Sequence, residues 1–125
     1  MPSMRPPLSV CDYLDGAAGR SAAKPAVVGP GGRRLTYGEL KALSSRIAGF
    51  LAGAGVLPGD RVGVIGPKSL EVVATLCGVL EAGAGYVPAD YTAPAARNRT
   101  LLADCTVRVA FLHPECAAVL ESWPG

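Results

Sequence analysis

Residues 58–90 constrain the fold more than any other part of this sequence. A turn leads into a short apolar run at 61–65, which a glycine and a proline end. A helix-length apolar segment at 69–82 follows, and a second short run at 85–88 closes the unit. Strand, crossover helix and strand form a βαβ unit, whose two strands usually pair in parallel. The stretch therefore predicts an α/β fold with a short, mostly parallel sheet.

A helix and a hairpin are predicted upstream of this unit. Residues 1–7 contain three prolines and should form a loose arm. Apolar residues then recur at spacings of three and four over 8–18, which predicts an amphipathic helix that ends near Gly19. The runs 26–28 and 34–36 flank a Gly-rich turn. That turn matches no phosphate-binding loop and is not followed by a helix, so the pattern favours a plain β-hairpin.

A second helix is predicted over residues 37–54. Thr36 and Glu39 have the spacing of a capping box, and Gly55 is a natural stop. An apolar stripe should face a partner surface; its members are Leu40, Leu43, Ile47, Phe50, Leu51 and Ala54. Polar residues should fall largely on the opposite face; they are Lys41, Ser44, Ser45 and Arg46.

The central unit carries two further local signals. Gly63, inside the first strand, should let a neighbouring element approach closely. Ser69 is a suitable N-cap for the crossover helix. That helix carries few charges, so most of its circumference should be covered by other elements.

The part of the chain after Asp90 predicts shorter elements. Pro94 suits the first position of a helix that ends by Cys105. Apolar residues alternate over 107–111 and indicate a third strand that is more exposed on one face. Pro114 should open a last short helix, and the tail after it is too short to add structure. With three strands alone, an apolar sheet face and open sheet edges should remain.

Composition excludes several classes of function. The length of 125 residues suits one domain, 1–125, and half of the residues are hydrophobic. The net charge is only +2, with no basic run, so nucleic acid is not an expected partner. No apolar run approaches the roughly 20 residues that span a bilayer, and no signal-peptide core is visible. We therefore expect a cytoplasmic protein without a membrane partner.

No catalytic constellation can be assembled from the residues. Lys68 follows a turn and is expected to be a solvated residue at a helix start, while His113 is expected in a loop. Glu39 serves as a capping partner, and Tyr86 is expected to pack between layers and not to stack on a nucleotide. The four cysteines form no CxxC pair and are interpreted as buried thiols. The expected catalytic, cofactor-binding and metal-binding residues are therefore none.

Five motifs in order resemble one enzyme family. They are Leu-Thr-Tyr-Gly-Glu-Leu at 35–40, Gly-Asp-Arg-Val at 59–62, Leu-Glu-Ala-Gly-Ala-Gly-Tyr-Val-Pro-Ala-Asp at 80–90, Pro-Ala-Ala-Arg at 94–97 and Leu-Leu-Ala-Asp at 101–104. Over about residues 8–120 the chain resembles the N-terminal subdomain of adenylate-forming enzymes. These include acyl-CoA synthetases, luciferases and the adenylation domains of nonribosomal peptide synthetases. The third motif is most similar to the peptide-synthetase branch.

The resemblance also implies what this chain lacks. The family's ATP-binding loop, its later nucleotide motifs and its catalytic lysine all lie downstream of the matched region. ATP and Mg are therefore expected only in a complete assembly. Asp90 and Arg97 resemble positions that brace the loop after the second strand, through a salt bridge or a helix-terminus contact.

Three functions remain open at this point. The chain could be a truncated or split adenylation subunit, inactive alone, that docks with a complementary subunit to activate a carboxylic or amino acid. Alternatively, it is a non-catalytic interaction module that associates with itself through an uncovered apolar face. A third hypothesis is a small nucleotide-binding domain with a pocket beyond the carboxyl ends of its strands, near 66–69 and Asp90.

Overall fold

A computed structural model of the protein describes residues 9–121 and contains four α-helices and five strands within that range. The predicted N-terminal arm and the C-terminal tail lie outside the described residues. The α-helices are α1 (Val10–Ser21), α2 (Tyr37–Gly53), α3 (Leu70–Glu81) and α4 (Ala95–Asp104). The strands are β1 (Pro25–Val28), β2 (Arg34–Thr36), β3 (Arg61–Ile65), β4 (Gly85–Ala89) and β5 (Val109–Leu112). Two 3₁₀ segments span Pro30–Gly32 and Pro114–Leu120.

The strands form two separate sheets. β1 and β2 pair antiparallel, which confirms the hairpin. β3 is the central strand of the second sheet, in the order β4-β3-β5, and both of its pairings are parallel. The predicted βαβ unit is confirmed as β3, α3 and β4.

Local capping signals are confirmed at both long helices. The Thr36 hydroxyl accepts a hydrogen bond from the Glu39 amide at 3.1 Å, and the Glu39 carboxylate accepts one from the Thr36 amide at 2.9 Å. Ser69 Oγ accepts a hydrogen bond from the Val72 amide at 3.1 Å. These contacts satisfy N–H groups that have no partner within the helix itself.

Helices cover both faces of the parallel sheet, because side chains alternate along β3. One buried cluster, on the side of α2 and α3, comprises Leu51, Val56, Val62, Val79 and Ala84. The other, on the side of α4 and the C-terminal 3₁₀ helix, comprises Ile65, Leu102, Val107, Cys116 and Val119. The expectation of an uncovered apolar sheet face is therefore wrong. Within residues 9–121, no strand pairs with the outer side of β4 or β5, as expected.

Close packing at Gly78 of α3 determines which side of α2 contacts α3. A Cβ built on Gly78 of α3 would lie 2.6 Å from Cβ of Ile47 and 2.9 Å from the backbone oxygen of Ser44. The two helices therefore touch along a line through Leu40, Ser44, Ile47 and Leu51. Ser44 is 1% exposed, so its assignment to the polar face was wrong. Phe50 is 61% exposed and Ala54 is exposed as well, so these two members of the predicted stripe were wrong.

Gly63 fulfils its predicted role on the other face. A Cβ there would lie 2.7 Å from the Leu102 side chain and 3.0 Å from Cβ of Ala110. The absent side chain therefore lets α4 sit directly against β3. α3 is covered around most of its circumference as expected, and Glu71 is its one exposed residue.

Several boundaries differ from the sequence-based expectation. α1 continues two residues past Gly19, and Pro94 is the N-cap of α4 instead of its first residue. β5 begins only at Val109, and its four residues are all half-buried, so one face is not more exposed than the other. The last helix is 3₁₀, in which residues three apart lie on one side, and this explains why Cys116 and Val119 are its buried pair. Within residues 9–121, no helix has the length and apolar character needed to cross a membrane.

Candidate functional site

A cleft lies beyond the carboxyl ends of β3 and β5. This cleft has a volume of about 540 Å³ and extends from the end of β3 to the start of the C-terminal 3₁₀ helix. Apolar side chains of both strands form its base, and α3 forms one wall. Ligands of open α/β sheets commonly bind at this end of the strands. The cleft is therefore the first candidate for a functional site, at the predicted location near Gly66 and Ser69; Asp90 is not among its lining residues.

Polar groups of the cleft are engaged with one another. Arg33 and Glu71 form an ion pair across the rim, with Nη2 and Oε1 2.5 Å apart and side chains 65% and 59% exposed. The hydrogen bond from Arg33 is the main reason that the pKa of Glu71 is lowered. The Thr75 hydroxyl donates to the Glu71 carbonyl oxygen at 2.7 Å, and the Ser69 hydroxyl caps α3. Arg33 and the two hydroxyls are thus already bound to protein atoms.

His113 lines the cleft but acts as a cap. Its Nδ1 accepts a hydrogen bond from the Glu115 amide at 3.2 Å, and its own amide donates to the Ile65 carbonyl at 2.9 Å. The predicted loop position is confirmed, since His113 lies between β5 and the 3₁₀ helix. Lys68 is exposed, as expected, and does not line the cleft.

A second polar cluster joins three helices away from the cleft. Lys41 Nζ of α2 lies 2.6 Å from Asp15 of α1 and 2.9 Å from Glu81 of α3. The hydroxyls of Ser45 and Ser44 donate to the same Glu81 carboxylate at 2.8 and 3.1 Å. We call these five residues the Glu81 network. The Glu81 network explains why Ser44 of α2 is buried, although the helical periodicity alone had assigned this residue to the solvent side.

The Glu81 network shifts the pKa values of its charged members. Burial by itself would raise the pKa of Glu81, but hydrogen bonds from Lys41 and the two serines outweigh it, and the net pKa is lowered. The hydrogen bonds to Asp15 and then Glu81 raise the pKa of Lys41. Both groups are therefore charged at neutral pH, and the network is a structural tie between helices.

Two of the four cysteines, Cys11 and Cys77, have thiols that burial makes less reactive. All four cysteines are free, and Cys116 is the only one of them that is fully buried. The buried-thiol interpretation is therefore confirmed for Cys116. It was too strong for the other three, which are half-buried. Burial raises the pKa of both Cys11 and Cys77, with a smaller contribution from neighbouring acidic groups. A raised pKa lowers the thiolate fraction and hence the nucleophilicity.

The loop after β4 is braced differently from the prediction. Asp90 Oδ1 accepts hydrogen bonds from the Thr92 amide at 2.9 Å and the Thr92 hydroxyl at 2.6 Å. The Asn98 side chain of α4 donates to the Asp90 carbonyl at 3.0 Å. Arg97 contributes only a weaker Coulombic lowering of the Asp90 pKa. Asp90 thus closes a local turn. Arg97 acts on Asp90 through a longer-range Coulombic interaction and not through the predicted salt bridge.

Tyr86 was predicted to pack between layers, and this is wrong. It lies on the edge strand β4 and is 41% exposed. Glu39, by contrast, is the capping partner that its spacing predicted.

The polar groups of residues 9–121 do not match the needs of a magnesium nucleotide. Within residues 9–121, no group of three or more His, Cys, Asp or Glu side chains is placed to hold a metal ion. Arg33, the one cation that lines the cleft, already pairs with Glu71. A nucleotide triphosphate would need several free donors and a metal, so the described residues do not fit one.

Comparison with known proteins supplies the family. The family model described as AMP-binding enzyme matches residues 14–124. This chain belongs to the AMP-binding enzyme family. Surfactin synthase subunit 1 of Bacillus subtilis (strain 168) is 38% identical over 117 residues, which is 94% of this chain and 3% of that protein.

Two solved structures are similar to this chain in fold. The anthranilate CoA ligase AuaEII, in complex with anthranoyl-AMP, has a TM-score of 0.86 and 27% identity over 99% of this chain and 25% of that one. The N-terminal domain of FACL13 from Mycobacterium tuberculosis, in an inhibitor-bound structure, has a TM-score of 0.83 and 29% identity over 90% of this chain and 28% of that one. The chain therefore corresponds to the N-terminal part of an adenylate-forming domain and spans only a small share of its relatives.

Proposed function

We propose that this chain supplies framework for an adenylate-forming domain, and that the groups that contact ATP come from polypeptide outside these 125 residues. The match to the AuaEII ligase carries the proposal, since 99% of this chain superposes on 25% of that one. Nearly all of the chain thus corresponds to one part of a larger enzyme. The satisfied polar groups of the cleft agree with this role, because they hold the fold together.

The assembled enzyme would activate a carboxylic or amino acid as its acyl adenylate, with ATP and Mg as its cofactors. In this chemistry the carboxylate attacks the α-phosphate of ATP and pyrophosphate leaves, while positioning and electrostatics lower the barrier. In the assembled enzyme, this chain would hold the rest of the adenylate-forming domain in position. More specifically, we propose that the assembled enzyme activates an amino acid in secondary metabolism and that it is cytoplasmic.

Pyrophosphate exchange tests the proposal. The 125-residue chain alone should show no exchange with any carboxylic or amino acid. Exchange should appear when a complementary polypeptide that carries the ATP-binding motifs is added. Lys68→Ala is a matched control, because this exposed lysine contacts neither the cleft nor either core cluster, and it should leave the restored rate unchanged. Exchange by the isolated chain would refute the proposal.

An interaction module that associates with itself is the second candidate function. An uncovered sheet face does not support this candidate, because helices cover both faces of the parallel sheet. Within residues 9–121, β4 and β5 have no partner strand on their outer sides, and this favours the interaction module instead. Titration calorimetry with ATP and AMP distinguishes this interaction module from a small nucleotide-binding domain. Binding of either nucleotide by the isolated chain would favour the nucleotide-binding domain. No binding, together with an oligomer in solution, would favour the interaction module.

A further inference from the structure

Two cysteines of different helices line one small cavity. Cys11 of α1 and Cys77 of α3 both border this space, which has a volume of about 50 Å³. That volume is less than the share of about two molecules of liquid water. Leu14 and Leu80 form further parts of the wall, so the surroundings of the two thiols are mostly apolar. Side chains that line so small a cavity are separated by a narrow gap at most.

The Glu81 network fixes how α1 lies against α3. Lys41 Nζ lies 2.6 Å from Asp15 of α1 and 2.9 Å from Glu81 of α3, so these two carboxylates approach each other. Residues four positions apart lie one turn apart on the same face of a helix. Cys11 precedes Asp15 by four positions, and Cys77 precedes Glu81 by four. The two cysteines therefore occupy equivalent positions, one turn before the point where Lys41 joins the helices.

The electrostatics of the thiols agree with this placement. Burial is the main reason that the pKa of Cys77 is raised, and the charge of the Cys11 thiolate is the next. Because Coulombic interactions weaken with distance, the two sulfur atoms are near neighbours. Cα atoms of α1 and α3 approach to 8 Å or less, and a disulfide needs Cα atoms about 4.4–6.8 Å apart. A small adjustment of α1 therefore suffices to bring the sulfur atoms into bonding distance.

We propose that Cys11 and Cys77 form an intramolecular disulfide when the protein meets a peroxide, and that this bond joins α1 covalently to α3. The Cys11 thiolate attacks one oxygen of hydrogen peroxide. An S–O bond forms, the O–O bond breaks, and the hydroxide that leaves combines with the thiol proton as water. The Cys77 sulfur then attacks the sulfenic sulfur of Cys11, so that an S–S bond forms, the S–O bond breaks and a second water leaves with the Cys77 proton. Two thiols are oxidised, and one peroxide is reduced to two waters.

Burial controls the rate of this reaction, whereas proximity controls its product. Burial raises the pKa of Cys11, and the positive charge of Lys41 partly offsets this rise, which makes Cys11 the first nucleophile. The raised pKa lowers the thiolate fraction, so the first step is slow. The second step is intramolecular and should outpace further oxidation of the sulfenic acid. In a reducing compartment the pair stays as thiols, so the bond responds to oxidising conditions.

The disulfide would change how firmly α1 is held. α1 has no fully buried residue, and its ion pair from Asp15 to Lys41 is half-exposed. A bond to α3 closes a long loop and removes conformational entropy from the unfolded chain. Both cysteines are half-buried, within reach of a molecule as small as hydrogen peroxide. The inference does not require any surface to be free for a partner, goes beyond the proposed function and does not depend on it.

Mass spectrometry of the peroxide-treated 125-residue chain tests the proposal. Under native conditions the chain should lose two hydrogen atoms and yield one linked pair of tryptic peptides, which contain Cys11 and Cys77. Dithiothreitol should then restore all four thiols to reaction with maleimide in denaturant. Cys11→Ala and Cys77→Ala should each abolish the linked pair. Cys105→Ala is the matched control, because this half-buried cysteine packs against the other core cluster, and it should leave the linked pair intact.

Thermal unfolding measures the effect on the fold. The oxidised chain should melt about 5–10 °C above the reduced chain, because the bond restricts the unfolded state. Peroxide-treated Cys77→Ala should show no such increase over its reduced form.

Three results would overturn the proposal. The first is oxidation to sulfinic acids without a linked pair of Cys11 and Cys77. The second is a native-state bond that uses Cys105 or Cys116 instead. The third is a bond between Cys11 and Cys77 that leaves the melting temperature unchanged or lower, because such a bond would form only by distorting the fold. If an alanine variant fails to fold, the linked peptides of the unmodified chain decide the question.

Discussion

The two faces of the parallel sheet are covered by different means. On one face, α2 and α3 are long, each is capped by a hydroxyl side chain, and the Glu81 network ties them together. On the other face, α4 has only Pro94 as its N-cap, without a side-chain hydrogen bond, and a 3₁₀ helix completes the cover. A charged network between helices thus holds the first face. The second face combines apolar packing with two side-chain-to-backbone hydrogen bonds of α4, from Asn98 to the Asp90 carbonyl and from Arg99 to the Ala118 carbonyl. Each of the following changes tests that difference.

Truncation of one core leucine on each face should have the largest effect. Leu51 and Leu102 are both fully buried, one in each cluster. Leu51→Ala and Leu102→Ala should each lower the free energy of unfolding by about 2–5 kcal/mol. Denaturant titration followed by two spectroscopic probes should show one transition in each variant. Two separate transitions would mean that the faces unfold independently.

A methyl group at the contact of α2 with α3 should have the next largest effect. In Gly78→Ala the new Cβ meets the branch carbon of Ile47 and a backbone oxygen, neither of which moves easily. The expected loss is about 1–3 kcal/mol, even after the better helix propensity of alanine. Gly49→Ala is the matched control, since nothing lies within 4 Å of its Cβ, and it should stabilise α2 by about 0.5–1 kcal/mol. Equal effects of the two changes in thermal unfolding would contradict the close contact.

Loss of the Glu81 carboxylate should weaken only the first face, and in a pH-dependent way. Glu81→Gln should cost about 1–2 kcal/mol near neutral pH, because a charged hydrogen-bond acceptor is removed. The pKa of Glu81 is lowered in the fold, so its stabilisation is present above the ordinary value of 4.5 and is lost as the pH falls through the folded-state pKa. The pKa of Lys41 is raised, so its share is present below 10.5 and is lost only above the folded-state pKa.

Unfolding curves across pH check this behaviour. The stability difference between the native chain and Glu81→Gln should be largest between those two ordinary pKa values and should shrink in acid. A difference that stays constant down to strongly acidic pH would show that the carboxylate charge does not matter.

Helix caps should give the smallest effects, with opposite signs on the two faces. Thr36→Ala removes the side-chain cap of α2 and should cost about 1 kcal/mol. Pro94→Ser adds a hydroxyl where α4 has no side-chain cap and should add about 0.5 kcal/mol. Differential scanning calorimetry resolves both shifts in the melting temperature. A stabilising effect at both positions would refute the comparison.

Local signals in the sequence predicted most of the first face and the topology. Glycine and proline mark the ends of β3 and β4, and the hydroxyl caps depend only on neighbours in the chain. The rotation of α2 could not be predicted, because it depends on which residue of α3 faces it. Gly78, a lone glycine inside an apolar helix, was the available clue to a close helix contact.

The candidate site was less predictable than the fold. The end of β3 was correctly expected to border a cleft, since parallel strands direct their carboxyl ends to one side. The Arg33–Glu71 pair joins residues 38 positions apart, and no periodic pattern connects them. Lys41, Ser44 and Ser45 were assigned to solvent because an isolated helix does not reveal that a buried carboxylate will approach its polar side.

Pro88 limits how well one edge of the parallel sheet can accept a further strand. A sheet with two complete edges could add copies at both ends and grow into a fibril. Pro88 lies in β4, an edge strand of the parallel sheet, and has no N–H group to donate to an added strand. A ring without an N–H group therefore weakens this edge as a template for open-ended polymerisation.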